Sequence, residues 1–152
     1  MIFFGEKDIS PETQAGLEEA RALWLQPEAC AARLEALWAK TGSCAVGFAR
    51  YKYYASQGWL DKAYVAAQQA LASTQRQAGI EGPWQAQRQD GFPWEDPAHP
   101  AHFYLFTLKA LAYLCVRSGQ RQEACNLLQK LQELDPRDTV GHEVVRAILA
   151  GS

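Results

Sequence analysis

No stretch of the chain approaches the ~20 consecutive apolar residues that a membrane span requires. The opening, MIFFGEKDIS, has a short apolar run followed by charges of both signs. That order is also unlike a secretory signal, which places positive charge ahead of a longer apolar stretch. An excess of one charge is missing too: 15 basic residues stand against 17 acidic ones, for a net charge of −2. Without a basic surplus nothing draws the whole protein to nucleic acid or to an anionic membrane. The four cysteines, Cys30, Cys44, Cys115 and Cys125, include no Cys-x-x-Cys pair, so the spacing of a redox or zinc motif is absent. Cys115 and Cys125 fall on apolar stripes, where buried free thiols are common. These absences predict a soluble, cytoplasmic protein with reduced, structural cysteines.

Signatures of catalysis are equally scarce. The sequence has no Gly-x-x-x-x-Gly-Lys-Ser/Thr phosphate loop, no Gly-x-Gly-x-x-Gly, no His-Glu-x-x-His and no Gly-x-Ser-x-Gly. His142-Glu143 lacks a second histidine four residues on and reads as one exposed histidine of a terminal helix. Glu95, Asp96, His99 and His102 form the one group suggestive of acid–base or metal chemistry. Pro100 prevents a regular helix from presenting both histidines on one face. A defined zinc site needs three or four ligands held in place by outer partners, and no nucleophile or oxyanion site is recognisable beside these residues. The reading is therefore no enzyme, with no catalytic residue, metal or cofactor. A metal-dependent or hydrolytic site in this segment is the alternative.

What is present is helix. A length of 152 residues suits one domain that buries roughly 70% of its unfolded surface. Ser10 and Pro11 are start signals for a helix carrying Leu17, Ala20, Leu23 and Trp24 at helical spacing. Pro27 opens a second, with Cys30, Leu34, Leu37 and Trp38 on one face and Gly42 at its end. A further pair runs through SCAVGFARYKYYASQG and WLDKAYVAAQQALAST, turning at Gly58, and the second of these has a narrow face of alanines. A third pair, HFYLFTLKALAYLCVRSG and QRQEACNLLQKLQELDPRD, turns at Gly119 and stops at Asp135-Pro136. A last helix follows, with Asp138 as candidate cap and Val144, Val145, Ile148 and Leu149 as its apolar stripe. No segment reads as a strand.

These hairpins share a pattern. Gly58 and Gly119 are each followed five residues later by alanine, Ala63 and Ala124, and Pro136 lies seventeen residues after Gly119. Residues 105–138, through Leu108, Leu111, Ala112, Gly119, Ala124, Leu128 and Pro136, resemble a whole tetratricopeptide repeat, whose period is about 34 residues. Cys115 stands where that family usually has tyrosine, and Leu131 where it often has alanine. Residues 44–75 match in part through Tyr51, Tyr54, Gly58, Ala63 and Ala70, without the closing proline. The resemblance implies an all-α fold: a single domain of antiparallel hairpins stacked as a short superhelix. Its parts would be a degenerate hairpin at about 10–42, a repeat at 43–75, a repeat at 102–136 and a capping helix at 138–150.

The two turn glycines are 119 − 58 = 61 residues apart, against a family period of about 34. An insertion, 76–101, fills the difference. It is rich in proline, glycine and glutamine, and its first residues, to Ala78, serve equally well as an extension of the preceding helix. Trp84, Phe92 and Trp94 within it carry large apolar surface that favours burial. They either fold back, narrowing the binding surface, or anchor a partner.

The resemblance also implies a function, since the first helix of each pair lines the concave surface of such arrays. The positions implied are Ala45, Phe48, Lys52, Ala55 and Ser56, then Phe106, Lys109, Tyr113, Val116 and Arg117. Phe48, Lys52, Phe106, Lys109, Tyr113 and Arg117 place aromatic rings beside cations, which suits an extended peptide with apolar anchors and carboxylates. Lys52 and Lys109 echo the family's carboxylate clamp, but its asparagines are missing. The reading is an interaction module, an adaptor or chaperone for a protein or peptide partner. A homo-oligomeric structural protein, using MIFF or the first hairpin as interface, is a further alternative.

Overall fold

The computed structural model describes residues 9–151, so the MIFF segment lies outside the described residues. Seven α-helices follow one another: α1 (Pro11–Ala22), α2 (Pro27–Thr41), α3 (Cys44–Ser56), α4 (Leu60–Ala78), α5 (Pro100–Arg117), α6 (Arg121–Leu134) and α7 (His142–Ala150). No strand occurs among the described residues. Each helix packs on the next along the chain, and in addition α1 meets α3, α3 meets α5 and α5 meets α7. None of the helices is long and apolar enough to cross a membrane.

Local chemistry sets most of the boundaries. Ser10 Oγ accepts the Thr13 amide at 3.1 Å and Pro11 occupies the first helical position of α1, an orphan-donor site where proline costs nothing. Helix α1 stops at Ala22, short of the Gln26 end that its periodicity suggests, because Pro27 restricts the residue before it and opens α2. The α1–α2 turn therefore projects Leu25, which is 91% exposed. The α3–α4 and α5–α6 turns are alike. Gly58 and Gly119 have φ of +78° and +77°, and the next residues, Trp59 and Gln120, donate back to Tyr54 and Cys115 carbonyls at 3.0 and 2.8 Å. A side chain in that left-handed conformation would be strained.

The core is continuous along the chain, because α4 lies between α3 and α5 and gives each a buried face. Ala63, Ala66, Ala67 and Ala70 on α4 are all buried, and their small size lets three helices approach closely. Gly47 on α3 shows how close: a Cβ there would sit 2.9 Å from the Trp38 ring and 3.2 Å from Ala70. Helix α5 is the most enclosed, with Tyr104, Leu105, Leu108 and Ala112 fully shielded. At about 1.5–3 kcal/mol for each large apolar side chain, α5 and its neighbours hold most of the stabilising area. One ion pair enters this interior. Arg50 donates from Nε to Glu35 at 2.8 Å and from Nη1 to Gln69 at 2.5 Å, with its guanidinium 5.7 Å from both the Trp38 and Tyr54 ring centres.

Four expectations need correction. The irregular segment is shorter than the 76–101 expected of an insertion: α4 runs on to Ala78, as the alternative reading allowed, and α5 starts at Pro100 with His99 as its cap. Pro100 thus begins α5, as proline readily does. The terminal helix starts at His142 rather than 138; Asp138 has φ of +56° and lies in the loop before it. His142 is fully buried, not exposed, because the chain turns inward at Gly141. Cys125 is exposed while the other three cysteines are buried, since it stands one residue round from the buried stripe of Ala124, Leu128 and Leu131.

Candidate functional site

One surface joins α1, α3 and α5. On α3, Phe48 is half-buried, and its ring meets those of Phe103 and Phe106 on α5 edge-on, at 5.9 and 6.0 Å. Lys52, one turn on and exposed, places Nζ 5.3 Å from the Phe48 ring centre. Helix α5 repeats the arrangement twice. Lys109 Nζ lies 5.6 Å from the Phe106 ring centre, and the Arg117 guanidinium 5.6 Å from that of Tyr113. Arg117 also donates to the Tyr113 hydroxyl at 2.6 Å. Three cation-over-ring pairs thus follow one another, because each cation stands three or four residues after its aromatic and so on the same helix face. Of the other implied groove positions, Ala55 and Val116 are half-buried and Ser56 is exposed, whereas Ala45 is wholly enclosed.

The electrostatics are set by Lys109. Burial, reinforced by the nearby Lys52 ammonium, pushes its amine below the ordinary value, and the Asp138 carboxylate offsets part of this. Two like charges on adjacent helices raise each other's energy. On the α1 side the surface opens into a cavity of about 490 Å³ between α1, α2 and α3, in the size range of ligand pockets. Leu17, Trp24, Leu34 and Phe48 are among its walls, with Arg21 and Lys52 at its rim.

The segment between α4 and α5 folds back elsewhere. Trp94 is 2% exposed, its ring 5.8 Å from that of Tyr104 on α5 and its Nε1 donating to the Arg88 carbonyl at 2.9 Å. Phe92 is half-buried against Trp94 at 5.4 Å, and Trp84 is half-buried in a single 3-10 turn, Trp84–Ala86, packed on the core. Tyr104 and Phe106 lie about 200° apart around α5 at ~100° per residue, so Trp94 sits on the other side of that helix from Lys109. The Trp94 carbonyl nevertheless meets His102, whose ring packs edge-on against Phe106 at 5.2 Å. Lys130 of α6 donates to the Gln87 carbonyl at 2.8 Å and Arg137 pairs with Glu95 at 2.6 Å, tying the segment to α6 and the loop beyond.

The acids and histidines of that segment do not converge. Glu95 pairs with Arg137, and Asp96 accepts the Ala98 amide at 2.9 Å. His99 Nδ1 accepts the Ala101 amide at 3.0 Å. His102 Nδ1 lies 2.8 Å from the Trp94 carbonyl, so that nitrogen carries the proton. A different group, not singled out by sequence, does gather. Asp135, Asp138 and His142 bring one potential ligand atom each within 4.8 Å of one another. The first two side chains serve the loop: the Asp135 carboxylate accepts Thr139 N and Oγ1 and Val140 N at 2.9, 2.7 and 3.1 Å, and Asp138 accepts the Glu143 amide at 3.2 Å. His142 Nε2 donates to the Asp135 carbonyl at 2.9 Å. The spacing Asp-x-x-Asp-x-x-x-His was the available signal, visible only once the loop was known to close on itself.

No protein-family model, curated protein or solved structure matches the chain.

Proposed function

We propose that the chain is a non-enzymatic interaction module, a tetratricopeptide-like adaptor or chaperone that works in the cytoplasm and binds a segment of another protein along α1, α3 and α5. The observation that carries this reading is the row of cation-over-ring pairs, Phe48 with Lys52, Phe106 with Lys109 and Tyr113 with Arg117, on the first helices of successive hairpins. The near-identical turns at Gly58 and Gly119 support treating those hairpins as repeats. The contacts of α1 with α3 and of α3 with α5 fit hairpins stacked in register. Aromatic faces supply apolar anchorage, and the amines favour carboxylates and suppress cationic partners.

The test is a pull-down with wild type against Lys52→Glu/Lys109→Glu. Reversing both charges removes the wild-type partner while the helical circular dichroism is unchanged. A partner set that survives the double reversal sinks the proposal.

A further inference from the structure

We infer that the cavity between α1, α2 and α3 is a specificity pocket for one bulky apolar side chain, leucine or an aromatic, flanked in the partner by acidic residues. The inference rests on the groove reading above and adds what the partner must contain.

Among the described residues the cavity, of about 490 Å³, has nine lining residues: seven uncharged, two cationic, none acidic. That composition is unusual in a chain with more acids than bases. Two acids of α1 are engaged away from it, Glu12 with Lys40 and Glu19 with Arg33. The floor is apolar and firm. Ala20 is 3% exposed, Leu34 2% and Cys30 1%, and the Cys30 thiol donates to the Ala20 carbonyl at 3.3 Å. The walls are rings: Trp24, whose face is braced edge-on by Tyr53 at 4.6 Å, and Phe48, braced by Tyr51 at 5.6 Å. Trp24 is nevertheless 43% exposed, a large apolar side chain left open at the mouth.

An apolar hole whose charged rim, among the described residues, is Arg21 and Lys52 selects on two criteria together. A buried side chain must fill it without carrying a polar group, since an unpaired polar atom there would cost more than the contact gains. The residues on either side of it emerge beside Arg21 and Lys52, where carboxylates are attracted and ammonium groups repelled. A peptide that is only acidic, or only apolar, meets half of the requirement.

The experiment uses the full chain and short fluorescein-labelled peptides of the pattern Asp-Glu-X-Glu-Asp, with X leucine, tryptophan or glycine, read by fluorescence anisotropy. The leucine or tryptophan peptide should bind at least about tenfold more tightly than the glycine peptide, from the burial of one apolar side chain. Ala49→Phe, which fills the pocket from α3, should remove that gap. Lysine and arginine in place of the flanking acids should abolish binding. Equal binding of the leucine, tryptophan and glycine peptides overturns the pocket and leaves the groove reading standing. Binding of the basic series as tight as the acidic one overturns the charge rule. If no peptide binds the wild type, pocket and groove fall together. The peptide series needs no mutant, so it decides the matter even if Ala49→Phe fails to fold. Should Ala49→Phe instead change the mass found by light scattering while the peptide affinities stay level, the pocket seats a second copy and the inference is wrong.

Discussion

Arg50 serves three helices at once, since its donors reach Glu35 of α2 and Gln69 of α4 from its own place on α3. Burial acts to raise the Glu35 pKa, but hydrogen bonds from Arg50 and Tyr54 outweigh it and hold the carboxyl below its ordinary value. A carboxyl lowered in the folded state stabilises fully above its unfolded pKa of ~4.3, and that contribution fades as pH falls through the folded value. The urea midpoint of wild type should therefore exceed that of Glu35→Gln at pH 6, and the gap should shrink toward pH 3. Arg50→Met should cost about 2 kcal/mol, less than for a fully buried pair because the Glu35 side chain is 45% exposed. Tyr104 works in the opposite direction. Its hydroxyl is buried without a hydrogen-bond partner among the described residues, and burial pushes its pKa up to about 12. Stability tied to that phenol is complete below pH ~10 and is lost as pH rises through the folded value. Tyr104→Phe should raise stability by about 1 kcal/mol at pH 8, with a larger advantage at pH 11, both read from urea unfolding.

Among the elements, α7 shows best what the sequence could and could not convey. Its apolar stripe was legible in half: Val145 and Leu149 are buried, but Val144 and Ile148, expected beside them, are 63% and 41% exposed, because only one narrow face of the helix meets α5 and α6. Its start was not, because Asp138 has the residue type of a cap but sits in a left-handed turn outside the helix. The loop is organised instead by Asp135, whose three acceptor bonds join residues four and five positions away. No local pattern distinguishes that role from an ordinary Asp-Pro stop. Asp135→Ala should cost about 2–3 kcal/mol by leaving buried donors unpaired. Hydrogen exchange should then quicken in the α7 amides, while those of α3 and α4 stay protected. Uniform protection across α7 in the variant would mean the loop is held by other contacts. Helices α2 and α3 were legible to within two residues, since proline, glycine and serine at their ends act locally.

At the scale of the whole molecule, the order of the helices and the irregular stretch between α4 and α5 could be read from helical periodicity and from proline and glycine. The path of that stretch could not, because Lys130 with Gln87, and Arg137 with Glu95, are joined across more than forty residues of chain. The candidate surface was half legible. Phe48, Lys52, Phe106 and Lys109 do meet across α3 and α5, whereas the α1 cavity depends on how α1 and α2 lean on α3. The separation of Cys125 from its three enclosed counterparts has a practical sequel. Burial raises the Cys30 and Cys115 thiols, so they present little thiolate to an electrophile. A thiol-reactive chromophore should titrate one group within minutes in the native protein and all four cysteines after denaturation. Rapid native labelling of two or more would contradict the packing. The wild-type chain thus carries its own attachment point for a fluorescent or spin reporter on the outer side of α6, from which distances to a bound peptide can be tracked without engineering.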